Sequence, residues 1–140
     1  MNRCLFHDIG PGRQDRKLFE IVESAYNQRE KILIYTRSEE RAASLDRTLW
    51  ILKQESFIPH MIFHGTDGDP LIPVAIVTSE TNPIGAGILI ADGHCDLEFA
   101  FNFDTVHEFV DRSSPDIQEE CRNRFRGYRD RKIPVEHLKE

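Results

Sequence analysis

Six of the eighteen Arg and Lys residues stand in one twelve-residue stretch, CRNRFRGYRDRK at 121–132, although the whole chain carries a formal charge of −6. No Arg or Lys occurs between Lys53 and Arg112, so the basic charge is segregated. Within the stretch Arg122, Arg126 and Arg129 recur at i, i+4 and i+7, which places them on one face of a helix. Guanidinium groups set side by side repel one another, and no glutamate is expected among them on that face to offset the repulsion. Their planar forks suit carboxylates, which they engage bidentately. Ile117, Cys121, Phe125 and Tyr128 form an adjoining apolar stripe, with Phe125 on the border between the two. An aromatic edge beside several arginines suits an acidic peptide with an apolar C-terminal anchor, whose terminal carboxylate adds a further charge. A solvated charged face and a direct contact to DNA phosphates are the competing readings, and the latter carries a steep salt dependence.

Other chemistry-bearing residues form no recognisable motif. His7, His60, His64, His94, His107 and His137, with Asp8, Asp67, Asp69 and Asp92, invite a metal reading. His60 and His64 fall in a segment that reads as a strand, where residues four apart stand too far from each other to share one ion. Asp67–Asp69 is too short for a calcium loop and reads as a turn. Cys4, Cys95 and Cys121 are odd in number, far apart and without CxxC spacing, so neither a disulfide framework nor a zinc site is expected. They read as ordinary buried or half-buried thiols, and no Ser, Cys or Lys sits in a nucleophile motif. GPG at 10–12 supplies neither GxGxxG nor GxxxxGK[ST], so no cofactor or nucleotide loop is expected. If the chain were instead a nucleotide- or phosphate-handling enzyme, its site would lie at the carboxyl ends of parallel strands, near His7, Asp8 and Thr36.

These residues need a scaffold, and the periodicities supply one. RCLFHDI is a strand ended by the glycines and proline that follow it. DRKLFEIVESAYNQRE has Leu18, Ile21, Val22 and Ala25 at helical spacing, with Asp15 as N-cap. KILIYT suits an inner strand covered on both faces. Ser38 caps the helix SEERAASLDRTLWIL, whose Ala42, Leu45, Leu49 and Leu52 share a face. Strand, helix, strand, helix in that order implies parallel pairing. HMIFH, VAIVTS and GAGILIAD read as further strands, and Pro59 delays the first of these. LEFAFNF begins helix-like or as a loop, and a strand is expected over about 104–110. Ser114 before Pro115 is a specific start signal for the last helix, after which no further strand is expected.

The fold class is therefore α/β, with residues 1–140 expected as one domain. ILIY and GILIA fall far short of the roughly 20 apolar residues a membrane span needs. The Met1 end has charges and CLFHDI in place of an apolar signal segment, so the cytoplasm is the expected location. Net negative charge disfavours broad nonspecific binding to nucleic acid.

KILIYTRSEERAASLDRTLW, ESFIPH and RNRFRGYR, in that order, resemble the chi subunit family of bacterial DNA polymerase III. The landmarks of the resemblance are Leu45, Asp46, Leu49 and Trp50 in one helix, Ser56–His60 after it, and Arg122, Phe125, Arg126, Tyr128 and Arg129 near the end. It implies a noncatalytic replication adaptor with a single-domain, Rossmann-like, mostly parallel sheet that lacks nucleotide chemistry. It further implies a link between the clamp loader and single-stranded DNA-binding protein, whose acidic tail ends in an Ile-Pro-Phe-like sequence. Arg122, Phe125, Arg126 and Arg129 would grip that tail. Trp50 and Phe57 would contact the psi subunit or an XPD-like helicase, and DNA would be reached only indirectly.

Overall fold

Branched apolar side chains with no polar neighbour to turn towards water belong inside a sheet, and the chain uses three such runs as fully buried strands. In the computed structural model, which describes residues 3–10, 12–51, 57–64 and 68–139, the order is β1 (Arg3–Asp8), α1 (Gln14–Asn27), β2 (Ile32–Tyr35), α2 (Glu39–Ile51), β3 (His60–Ile62), β4 (Val74–Val77), β5 (Ile88–Ala91), α3 (Leu97–Ala100), β6 (Thr105–Phe109), α4 (Pro115–Asp130) and β7 (Val135–Lys139). Leu52, Ser56 and Asp67 lie outside the described residues. All seven strands are parallel, in the order β3-β4-β2-β5-β6-β1-β7. The sheet is thus wholly parallel where a mostly parallel one was expected.

The two-residue period of the strands divides the core into two layers. On one face Ile32, Ile34, Val74, Ile76, Ile88 and Ile90 meet Leu18 and Val22 of α1 and Ala42, Leu45 and Leu49 of α2. On the other, Leu33, Ala75, Val77, Leu89, Val106 and Phe6 meet Ala100, Phe103 and Tyr128. Helices therefore cover both faces, as parallel pairing requires. Among the described residues no helix is long and apolar enough to cross a membrane.

Caps and ends show where local signals succeed. Ser38 Oγ accepts from the Arg41 amide at 3.1 Å, as its place before Glu39 predicts. Asp15 is not the cap of α1. The capping residue is Arg13, whose side chain makes no capping bond, and the Asp15 carboxylate accepts from Arg41 Nη2 at 2.6 Å, joining α1 to α2. A second correction concerns the end of the chain, where β7 forms after α4. Lys132 adopts φ 60, the Ile133 amide returns to the Tyr128 carbonyl, and the Cys4 amide donates to Pro134 at 2.9 Å, laying β7 along β1. VEHLK carries no continuous apolar run because it is an edge strand, mostly exposed.

Candidate functional site

Helix α4 starts where Ser114 and Pro115 place it. Ser114 Oγ accepts from the Ile117 amide at 3.2 Å and Pro115 occupies the first turn, which needs no amide donor. Cys121 and Tyr128 are buried from this start onwards, Phe125 is half-buried, and Arg122, Arg126 and Arg129 are exposed. The three arginines thus lie on one solvent-facing side of the helix. Glu119 approaches two of them, at 3.1 Å from Arg122 and 3.4 Å from Arg126. This corrects the expectation that no glutamate offsets that face, because Glu119 precedes Arg122 by one turn and Arg126 by two. One carboxylate still leaves the stripe predominantly basic.

Phe125 lies where the basic side meets the core. Its ring packs on Phe6 at 5.3 Å between centroids, and the Arg129 guanidinium stands 5.9 Å from the ring centre. Beside it opens a cavity of about 190 Å³ whose walls include Phe6, Val110, Arg112, Cys121, Arg122 and Phe125. Asp111, Gln118 and His137 complete the lining, so aromatic rings and two guanidinium groups share the cavity with one carboxylate. Arg112 forms a fork with Asp8, its Nη2 donating to Oδ2 at 2.8 Å, and His137 meets the same carboxylate at 2.8 Å. These partners hold the Asp8 carboxyl well below the usual carboxylate range, the bond from Arg112 contributing most.

The inward side of α4 is quite different. Arg124 is buried, and its Nη2 donates to Glu108 of β6 at 2.5 Å while its Nε also reaches that carboxylate. Tyr128 donates to Glu108 at 2.6 Å. Burial, reinforced by the Glu108 charge, raises the Tyr128 pKa far above the ordinary phenol value. This network anchors the helix to the sheet and so fixes the direction of its outer stripe.

Trp50 and Phe57 meet at 5.1 Å between ring centroids, and Trp50 lies 4.5 Å from His60. Both are substantially exposed, at 46% and 64%, as are Ile51, next to Trp50, and Met61 of β3. This aromatic pair belongs to the β3 edge and to the face that α2 covers, whereas α4 covers the opposite face towards β1 and β7. The two candidate surfaces therefore stand on opposite faces and towards opposite edges of the sheet.

At the strand ends many of the side chains are paired with one another, while the buried Nδ1 of His7 has no hydrogen-bond partner among the described residues. Thr36 donates to Asp92 at 2.9 Å, Arg41 spans Asp92 and Asp15, and Gln14 also donates to Asp92. His7 faces His107 at 2.9 Å with the rings stacked. Among the described residues no group of three or more His, Cys, Asp or Glu side chains is placed to hold a metal ion.

The family described as DNA polymerase III chi subunit, HolC, matches residues 1–136. The chain belongs to this family. A DNA polymerase III subunit chi from Pseudomonas aeruginosa is 30% identical over 119 residues, covering 83% of this chain and 79% of that protein. The crystal structure of T4 UvsW superposes with a TM-score of 0.70 at 7% identity, covering 98% of this chain and 41% of that one. The chain therefore spans less than half of UvsW, and a likeness at that identity shows the α/β fold alone.

As a member of the chi family the chain is an accessory subunit of the replicative polymerase. Its arginine stripe was legible from helical spacing, the Trp50–Phe57 pair was implied by the family resemblance, and the structure exposes both sets of side chains. Arg124 and Glu119 were missed, together with the Phe6, Val110 and Arg112 walls of the cavity. A signal for Arg124 exists in the spacing, because it follows Ile117 by seven residues and Cys121 by three, which puts it on the inward stripe. Phe6 and Arg112 come from other elements, and only the fold brings them to Phe125.

Proposed function

We propose that this chi-family chain is a noncatalytic adaptor, one domain over 1–140, that links the clamp loader to single-stranded DNA-binding protein by gripping that protein's acidic tail. Arg122, Arg126 and Arg129 draw in the acidic residues, and the cavity beside Phe125 takes the terminal aromatic ring. The observation that carries this reading is the juxtaposition of an exposed arginine stripe with a cavity whose lining includes Phe6, Phe125, Arg112 and Arg122. Acidic residues alone need only the stripe, whereas a C-terminal Phe needs both the apolar wall and a cation for its carboxylate. Trp50 and Phe57 then serve the second partner, the psi subunit or an XPD-like helicase, as exposed aromatic anchors. Their separation from α4 across the sheet lets both partners be held together.

Calorimetric titration with a short acidic peptide ending in Ile-Pro-Phe tests the reading. Binding to the intact peptide, lost when the terminal Phe is removed, is the expected result. Equal binding of the truncated peptide, falling steeply with added salt, would instead favour a general anion surface such as one for DNA phosphates.

A further inference from the structure

Cys121 lies on the inward stripe of α4 one turn before Phe125 and is one of the residues lining the cavity there; it is buried, and its sulfur also meets the carbonyls of Phe109 at 4.0 Å and Asp111 at 3.9 Å. It is not surrounded by apolar groups alone. His94, in the bend after β5, brings Nε2 to 3.7 Å from Cys121 Sγ. On the other side of the same ring, Nδ1 meets Glu120 Oε1 at 2.8 Å. A thiol, an imidazole and a carboxylate thus stand in line, drawn from two separate elements. The carboxylate fixes the tautomer by accepting from Nδ1–H, which leaves Nε2 free to take the thiol proton. The hydrogen bond with Cys121 raises the His94 pKa above its ordinary value, and Glu120 adds to this against the opposing effect of burial.

Among the described residues the other two cysteines have no imidazole beside them, although Arg124 Nη2 stands 3.7 Å from Cys95 Sγ. Cys4 is fully buried under the sheet, and burial drives its pKa far up. Cys95 is pushed up to about 11, chiefly by burial. Neither lines the cavity beside Phe125.

We propose that Cys121 is a modification site, a thiol deprotonated by His94 for attack on hydrogen peroxide, and that its oxidation closes the cavity beside Phe125. In the step, the Cys121 proton passes to His94 Nε2 and the thiolate sulfur attacks one peroxide oxygen. The S–O bond forms as the O–O bond breaks, and the departing hydroxide recovers the proton from His94 to leave as water. Sulfur is oxidised by two electrons to a sulfenic acid, and the peroxide is reduced. The added oxygen projects from a cavity wall, where it competes with an apolar side chain for space. This second half rests on the reading of α4 as the tail site.

The test uses the reduced full-length protein treated with hydrogen peroxide in the presence of dimedone, with adducts at each cysteine measured by mass spectrometry of its peptides. Cys121 is expected to form the adduct about tenfold faster than Cys4 or Cys95, and His94→Gln or Glu120→Gln to slow it severalfold. Glu120 is half exposed, so its variant keeps the test open should the His94 variant fold poorly. Equal rates at the three thiols, or a Cys121 rate unmoved by both substitutions, would overturn the proposal. Protein alkylated at Cys121 with iodoacetamide should bind the Ile-Pro-Phe peptide about tenfold more weakly than the reduced protein, and unchanged affinity would overturn the closing of the cavity. If the reduced protein fails to bind the peptide while Cys121 still traps dimedone, the tail site fails and the reactive thiol stands.

Discussion

Arg124 and Arg126 are two residues apart on one helix, yet they belong to different parts of the physics of this molecule. Arg124 is buried with its guanidinium committed to Glu108, and Tyr128 closes the same carboxylate. Arg126 is exposed, and its contact at 3.4 Å is the solvent-facing Glu119. The inner arginine spends its charge on the fold, while the outer one keeps most of its charge for a partner. A surface ion pair such as Arg126–Glu119 contributes little to stability, whereas a buried charge stripped of its partner costs a great deal. The difference teaches that a cluster of arginines cannot be read as one patch. Which side of α4 a residue occupies decides whether it holds the helix or serves the ligand.

The sharpest break of that comparison removes the inner charge. Arg124→Ala leaves Glu108 buried without its cation and is expected to cost about 3–5 kcal/mol in urea unfolding. Replacing Arg124 by Met, Glu108 by Leu and Tyr128 by Phe together should recover most of that loss, because the apolar set leaves neither a charge nor the Tyr128 hydroxyl without its partner. Next in size, Arg126→Ala should weaken the acidic peptide at least about tenfold, or roughly 1.4 kcal/mol, by calorimetry. Its unfolding free energy should stay within about 0.5 kcal/mol of the parent. A stability loss as large as that of Arg124→Ala would erase the distinction between the two sides of the helix.

A smaller effect comes from the opposite face of the sheet. Burial lowers the pKa of His7 to about 4 and that of His107 to about 3, with Lys17 acting on the first and the His7 charge on the second. An unfolded histidine titrates near 6.5, so between that value and about 4 the unfolded chain binds protons that the folded chain refuses. Stability is therefore expected to fall as pH drops through this window, and His107→Gln should flatten the slope of urea midpoint against pH. The smallest effect marks the other surface. Trp50→Ala should leave peptide affinity unchanged within error, because the Trp50–Phe57 pair lies across the sheet from α4. It should nonetheless abolish or weaken capture of the second partner in a pull-down.

What the sequence disclosed follows the range of the interactions involved. ILIY announces a strand covered on both faces because every residue in it is apolar, and Ser114–Pro115 announces a helix start because capping is a matter of adjacent residues. The exposed arginines follow from helical spacing alone. Asp15 misleads for a long-range reason, since Arg41 of another helix takes the carboxylate that would otherwise cap α1. β7 is silent because an exposed edge strand needs no apolar run, and its place depends on the β1 edge it joins. The cavity is legible only in part. Cys121, Arg122 and Phe125 share one helix, but Phe6 and Arg112 arrive through strand order and a loop after β6.

The most direct test of the central claim is to map the bound peptide on the folded protein by the shifts of its backbone amide resonances during titration with the acidic Ile-Pro-Phe peptide. Changes are expected to concentrate at Phe6, Arg112, Cys121, Arg122, Phe125 and Arg126, with the amides around Trp50 and Phe57 unmoved. Changes centred on Trp50 and Phe57, or on the strand ends near Thr36 and Asp92, would contradict the claim.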